Sequence, residues 1–203
     1  MADITASGKV ITDWTEVGQN GLVHSDIEDI SDDLEAQLMV QAFLDTETAH
    51  TGTKLIVETS WKTSGDEDWT ELQGAERVIL IGTANEELID DNPLTAGSTT
   101  ILMSSTTGFT VDGELRGIKD GTIANSEIVR QVSEVTNTSI TILDGTTNAH
   151  ANTVKVYNIA ISVVIALLSA SVRRVRLVVD NTYDPDGSTL VYRLMISRAT
   201  DIV

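Results

Sequence analysis

The chain contains no cysteine. Disulfides, cysteine-ligated zinc and cysteine nucleophiles are thereby excluded. Proline occurs only at Pro93 and Pro185, and Phe, Trp and Tyr together make up 4% of the 203 residues. The hydrophobic fraction of 41% still suffices for a core, which must be built mostly from Val, Ile, Leu and Ala. Basic residues are also scarce, with 13 Lys and Arg against 31 Asp and Glu, for a net charge of −18. Such a field repels phosphate, so no nucleic-acid partner is expected. The longest apolar run, residues 159–168, is interrupted by Ser162 and is too short to span a bilayer, so no membrane role is expected. The opening MADITASGKV lacks the charged-then-apolar pattern of a secretory signal. The expectation is synthesis in the cytoplasm, with any exit from the cell by lysis or assembly.

The charge is unevenly spread. Residues 1–92 carry 4 basic and 21 acidic side chains, residues 93–158 carry 4 and 6, and residues 159–203 carry 5 and 4. The corresponding net charges are −17, −2 and +1. Solubility of a β-rich chain accounts for an acidic surface. A second reading is that the acidic part faces solvent while the near-neutral end is buried or docked.

What is present is alternation. Residues 54–61 read as a strand rich in β-branched side chains, KTSGDED as a polar turn, and residues 69–72 as a returning strand. Trp61 and Trp69 lie on either side of that turn. A hairpin of this kind needs a second sheet to pack against. Residues 34–44, LEAQLMVQAFL, admit two readings. Ser31 as a cap, with Glu35 and Gln37 following, supports a helix. Leu34, Ala36, Leu38, Val40, Ala42 and Leu44 are apolar at every second position, and this stricter pattern favours a strand. That strand is expected to pair with residues 54–61 through a turn at residues 48–52. Residues 5–23 read as one or two opening strands, and SDIEDISDD (residues 25–33) as an acidic surface connector.

After a strand at residues 77–81 and a polar stretch at residues 83–92, Pro93 marks a change of texture. TTILMSS, TGFTVDGELRGIKDG, SEIVRQVSEV, TSITILDG and TVKVYN are strand-length runs separated by turn residues, spaced as in a small barrel or sandwich. Longer apolar strands resume at residue 159. Residues 171–180 and 188–196 flank NTYDPDG and read as a second hairpin. The expected fold is all-β: a discontinuous β-sandwich of residues 1–92 and 158–203, with residues 93–157 as a small inserted β-barrel or sandwich domain. Two domains in series is the simpler alternative.

No constellation for chemistry is apparent. His24, His50 and His150 have no metal-ligand spacing and read as surface turn residues. There is no GxSxG elbow, no GxxxxGK[ST] loop and no GxGxxG. Asp66, Glu67 and Asp68 form an acidic turn without the aromatic frame of a glycosidase cleft. Asp184, Asp186 and Gly187 resemble a calcium-loop fragment, but DPDG is also a favoured tight turn. The expectation is a non-enzyme with no catalytic, cofactor-binding or metal residues. Trp14, Trp61 and Trp69 are expected in the core, with Trp61 and Trp69 as a ligand platform in a competing, glycan-binding reading. Arg173, Arg174, Arg176, Arg193 and Arg198 interleave with apolar positions in the near-neutral end and are candidate interface residues, because the arginine fork binds carboxylates in two places.

Two stretches resemble something known. HTGTKLIVETSWKTSGDEDWTEL is similar to a hairpin recurrent in tailed-bacteriophage structural proteins. There, a strand ending in a small residue leads through a polar turn to a W-T-x-L strand. TTILMSSTTGFTVDGELRGIKDG with EIVRQVSEVTNTSITILDGTTNAHANTVKVYN resembles a small β module of phage head and tail proteins. Together they cover residues 49–157. The resemblance implies a virion component: a capsid decoration (cement) protein, or a tail or neck structural protein. It implies multi-copy assembly with other copies of the chain and with virion proteins such as the major capsid protein, and no cofactor. It assigns no functional residue.

Overall fold

The computed structural model describes residues 4–31, 35–45, 50–65, 68–81, 86–91, 93–109, 114–136, 138–167, 172–182 and 189–202. Among them the chain forms strands and one short 3-10 turn. In order, the strands are β1 (Ile4–Val17), β2 (Leu22–His24), β3 (Glu28–Asp29), β4 (Glu35–Leu44), β5 (His50–Ser60), β6 (Thr70–Glu71), β7 (Arg77–Ile81) and β8 (Glu86–Leu88). There follow β9 (Thr100–Leu102), β10 (Leu115–Lys119), β11 (Glu127–Thr136), β12 (Ser139–Ile142), β13 (Lys155–Tyr157), β14 (Ala160–Leu167), β15 (Arg174–Asp180) and β16 (Leu190–Ile202). The all-β expectation holds, and residues 35–44 are strand.

The strands form three sheets. The first has the order β1-β16-β4-β14. The second has the order β2-β15-β5-β6, with β3 also on β15 and β7 also on β5. These two sheets pack face to face. The alternation that argued for a strand at β4 sends Ala36, Leu38, Val40, Ala42 and Leu44 into the shared core. There they meet Leu55 and Val57 of β5, Val175, Leu177 and Val179 of β15, and Leu190, Tyr192, Leu194 and Ile196 of β16. Each fully buried Leu, Ile or Val contributes about 1.5–3 kcal/mol.

Two expected pairings are corrected. β4 does not pair with β5; its neighbours are β14 and β16. β15 and β16 do not form a hairpin; β15 pairs with β5, and β16 with β1 and β4. In both cases two successive one-faced strands lie in opposite layers. An arch across the sandwich buries the same alternating residues as a hairpin would. The hairpin at the Trp61–Trp69 turn does form, with Glu58 opposite Glu71 and Thr59 opposite Thr70. The expected connector at residues 25–33 is also corrected as far as it is described. Ser25, Glu28 and Ile30 are buried, and residues 25–30 run along β15, with the Ile30 N–H donating to the Arg173 carbonyl at 2.7 Å. Leu34, Thr48, Ala49, Asp66, Glu67, Asp184, Asp186 and Gly187, on which other expectations fell, lie outside the described residues.

The third sheet has the order β8-β13-β10-β11-β12-β9 and begins at Glu86, ahead of Pro93. It curls until its two edges meet: the Asp90 N–H donates to the Leu102 carbonyl at 2.9 Å and the Ser104 N–H to the Leu88 carbonyl at 3.0 Å. Its own core holds Ile89, Ile101, Met103, Phe109, Ile118, Ile140 and Val156.

Beneath this sheet Arg116 is fully buried. Its Nε donates to Gln131 Oε1 at 2.7 Å, and its Nη1 to Glu114 Oε2 at 2.6 Å and to the Asn158 carbonyl. The third sheet meets the sandwich through Trp14, Phe43, Tyr157 and Val191. Phe43 projects from β4 on the face opposite the sandwich core. Its ring stacks on Tyr157 (centroids 5.7 Å, planes 26° apart) and tilts against Trp14 (5.6 Å, 55°). Gly117 leaves room for it, since a Cβ there would overlap the Phe43 ring. Beside the aromatics, Lys119 pairs with Glu16 (2.6 Å) and with Asp45, and the Tyr157 hydroxyl donates to Asp45. Burial raises the Tyr157 pKa, and the Asp45 carboxylate adds to the shift.

Candidate interaction surface

The first sheet buries one face in the sandwich and leaves part of the other uncovered. On that outer face Val10 lies opposite Met195, Met195 opposite Met39, and Met39 opposite Val164. The four side chains form one apolar row across four strands. Val164 is 55% exposed and Val10 37%, and the two methionines are half-buried. Their strand neighbours Leu38, Val40, Ile165, Leu194 and Ile196 point inward, so the pleat alone places the row outside. A parallel row of small and polar residues, Gly8–Ser197–Gln37–Ala166, borders it on one side; Arg193, Gln41 and Ser162 border it on the other. The row lines an apolar groove of about 430 Å³. No expectation from sequence included it, because Val10, Met39, Val164 and Met195 are individually unremarkable apolar residues. The signal was present in β14 alone, where Ile161, Val163 and Ile165 alternate with an outward Val164 where a polar residue is usual.

The five arginines are not brought together. Arg174 and Arg176 are on the second sheet, Arg193 and Arg198 on the first. Arg174 is buried; its Nε donates to the Lys62 carbonyl at 2.7 Å and its Nη2 to the Gly65 carbonyl at 2.8 Å. Arg176 pairs with Glu58 at 2.6 Å. Arg198 and Lys9 both pair with the buried Glu28 carboxylate, and Arg193 Nε lies 3.5 Å from Asp13. Arg173 is exposed.

The tryptophans divide similarly. Trp14 is buried as expected. Trp61 is 67% exposed just past the end of β5, a correction to the expected core placement. It lines an open pocket with Lys62, Thr63, Ser64 and Arg173. Trp69 is half-buried, with the Arg176 and Arg174 guanidinium carbons 4.3 and 5.1 Å from its ring centroid.

His150 is a further correction: it is buried rather than a surface turn residue. Its Nδ1 lies 2.9 Å from Asp120 Oδ2 and its Nε2 2.6 Å from Glu127 Oε1. Glu127 in turn accepts the Thr147 N–H at 2.7 Å, so the cluster pins the loop before β13. Burial opposes the imidazolium, but the hydrogen bonds and charges of Glu127 and Asp120 outweigh burial and raise the pKa above the ordinary histidine value. With both ring nitrogens bonded to carboxylates, His150 has no nitrogen left to act as a base toward a substrate. A raised folded-state pKa gives stability that is complete below the unfolded value of about 6.5 and is lost as pH rises through the folded value. Chemical denaturation at a series of pH values from about 6 upward is therefore expected to show a loss of stability with rising pH that His150→Asn removes. An unchanged pH slope in the variant would contradict this assignment. Among the described residues no group of three or more His, Asp or Glu is arranged to hold a metal ion.

No protein-family model matches the chain, and no curated protein matches it. Among solved structures, VP17, a capsid protein of bacteriophage P23-77, aligns over 100% of both chains at 8% identity with a TM-score of 0.22. The structure of infectious bursal disease virus Gx strain aligns over 98% of this chain and 81% of that chain, at 9% identity with a TM-score of 0.23. TM-scores this low describe no shared arrangement of strands.

Proposed function

We propose that the chain is a structural component of a bacteriophage virion, a decoration (cement) protein that stabilises the head shell, with no catalytic role. The observation that carries this reading is the Val10–Met195–Met39–Val164 row. A chain of net charge −18 that worked alone would be better solvated with charged side chains there. An apolar stripe on a rigid sheet suits burial against another protein, and methionine adapts to the partner's contour. The resemblance of residues 49–157 to tailed-phage modules supplies the kind of assembly. The partners on this reading are copies of the chain and the major capsid protein. The buried Arg116 and His150 and the half-buried Lys119 are engaged within the chain, which supports a scaffold rather than a reaction centre.

Peptide mass spectrometry of purified particles is expected to find the chain in many copies per particle. Stripping it is expected to make heads rupture under milder heat or osmotic shock. An unchanged shell would move the reading to a tail or neck protein, and absence from particles would overturn it. One observation favours a second reading, a glycan-binding module: Trp61 stands exposed beside Lys62, Ser64 and Arg173. A saturable tryptophan fluorescence shift with a glycan panel, lost in Trp61→Ala, would establish that reading instead.

A further inference from the structure

Open sheet edges invite pairing, and natural proteins shorten, bulge, charge or cover them. This chain treats nearly all of its edges in that way. β1 is interrupted by three register shifts and carries Lys9, Asp13 and Glu16. In the second sheet β2, β3 and β6 are two or three residues long, and β7 opens with Arg77. The third sheet joins its own edges through Leu88, Asp90, Leu102 and Ser104.

β14 is neither shortened, bulged nor charged, and the third sheet approaches only its first residues, where Ala160 packs against the aromatic junction and Ser162 lines a cleft with Ile128 and Arg130. Its eight residues, AISVVIAL, contain no charge, no proline and no glycine. Its pairing with β4 runs without a shift from Ala160 opposite Phe43 to Leu167 opposite Ala36. Among the described residues no strand pairs with its other side.

We propose that this edge joins the same edge of a second copy of the chain, antiparallel about a two-fold axis at Val164, so that two first sheets become one eight-stranded sheet. The inference goes beyond the virion reading and applies to the free chain in solution. Three observations name a second copy as the occupant. The first is self-complementarity. Directly opposed residues share a face, so with Val164 on the axis Ser162 meets Ala166, Val163 meets Ile165, and Ile161 meets Leu167. Every pair on the core side is apolar on both strands. The second is continuity: the Val10–Met195–Met39–Val164 row ends at this edge, and the two-fold axis joins two such rows at Val164. The third is charge. Copies of net charge −18 repel one another, and β14 lets them meet with no like charges opposed. Salt, which screens that repulsion, is expected to strengthen the dimer.

The test uses the full chain. Sedimentation is expected to give twice the 21.8 kDa mass for the parent and the monomer mass for Val164→Lys, with the same far-UV circular dichroism. Because the chain has no cysteine, Val164→Cys places a single thiol on the axis. Opposed residues of an antiparallel pair are about 4.5–5.5 Å apart at Cα, within the range of about 4.4–6.8 Å that a disulfide spans. Val164→Cys is expected to form a covalent dimer with oxidised glutathione, while Val10→Cys, at the far end of the row, remains monomeric on a denaturing gel. The cross-link decides the matter if Val164→Lys fails to fold. A parent chain that stays monomeric up to about 100 μM overturns the proposal, as does a cross-link through Val10→Cys but not Val164→Cys, which would mean that copies meet face to face.

Discussion

Phe43→Ala is expected to lower the unfolding free energy by about 3–5 kcal/mol, the range for deleting a fully buried aromatic ring. Phe43 is 0% exposed, and it is the ring that both Trp14 and Tyr157 pack against. Its loss opens a cavity between two separate cores, each of which keeps its own apolar cluster. We propose that residues 86–157 fold as a unit inserted into the sandwich. On that view the damage falls on the coupling between the units, and calorimetry of the variant should resolve two transitions where the parent shows one. Gly117→Ala attacks the same contact from the other side, because its Cβ would overlap the Phe43 ring. Overpacking of this kind destabilises by about 1–3 kcal/mol. A single unchanged transition in Phe43→Ala would show that the aromatic junction does not hold the units together.

Arg116→Ala is expected to cost about 1–3 kcal/mol for each buried acceptor that loses its donor, the Gln131 amide oxygen and the Asn158 carbonyl, while Glu114, whose side chain is 48% exposed, is left to solvent. The guanidinium reaches three parts of the chain at once. It donates to Gln131 on β11, to Glu114 just before β10, and to the Asn158 carbonyl at the exit toward β14. The Phe109 ring lies 5.4 Å from its central carbon, and Gln131 Nε2 passes the network on by donating to the Phe109 carbonyl at 2.7 Å. Arg116→Lys keeps the charge but loses the planar fork, so an intermediate loss is expected. Urea denaturation measures both. If Arg116→Lys is as stable as the parent, charge alone suffices and the fork assignment is wrong.

The individual strands were legible in sequence because alternation is a local property. Ala36, Leu38, Val40, Ala42 and Leu44 announce a one-faced strand whatever they pair with. Two of the pairings were not legible, because a hairpin and an arch between sheets bury the same faces of β4 and β5, and likewise of β15 and β16. The polar interior was invisible for a related reason. His150 sits in AHANT, a loop by composition, and its partners Asp120 and Glu127 are brought to it by the curl of the third sheet rather than by spacing. Arg116 and Gln131 occupy inward positions of β10 and β11, where a pattern reader assigns charged and amide side chains to solvent. The arginines of the near-neutral end read as candidate interface residues in sequence, but β15 and β16 lie in opposite sheets, and most of these arginines are held by carboxylates or carbonyls of their own chain. The outer apolar row needed four strands in register before it existed at all.

On the reading proposed above, this row is the surface through which the chain is built into a particle. The most direct measurement is oxidative footprinting of Met39 and Met195, read by mass spectrometry on the isolated chain and on purified particles. A thioether half-exposed on an open sheet oxidises readily, and one sealed against a neighbour does not. Both methionines are expected to be strongly protected in the particle, with the buried Met103 slow to oxidise in both samples. Equal oxidation of Met39 and Met195 in the isolated chain and in the particle would contradict it.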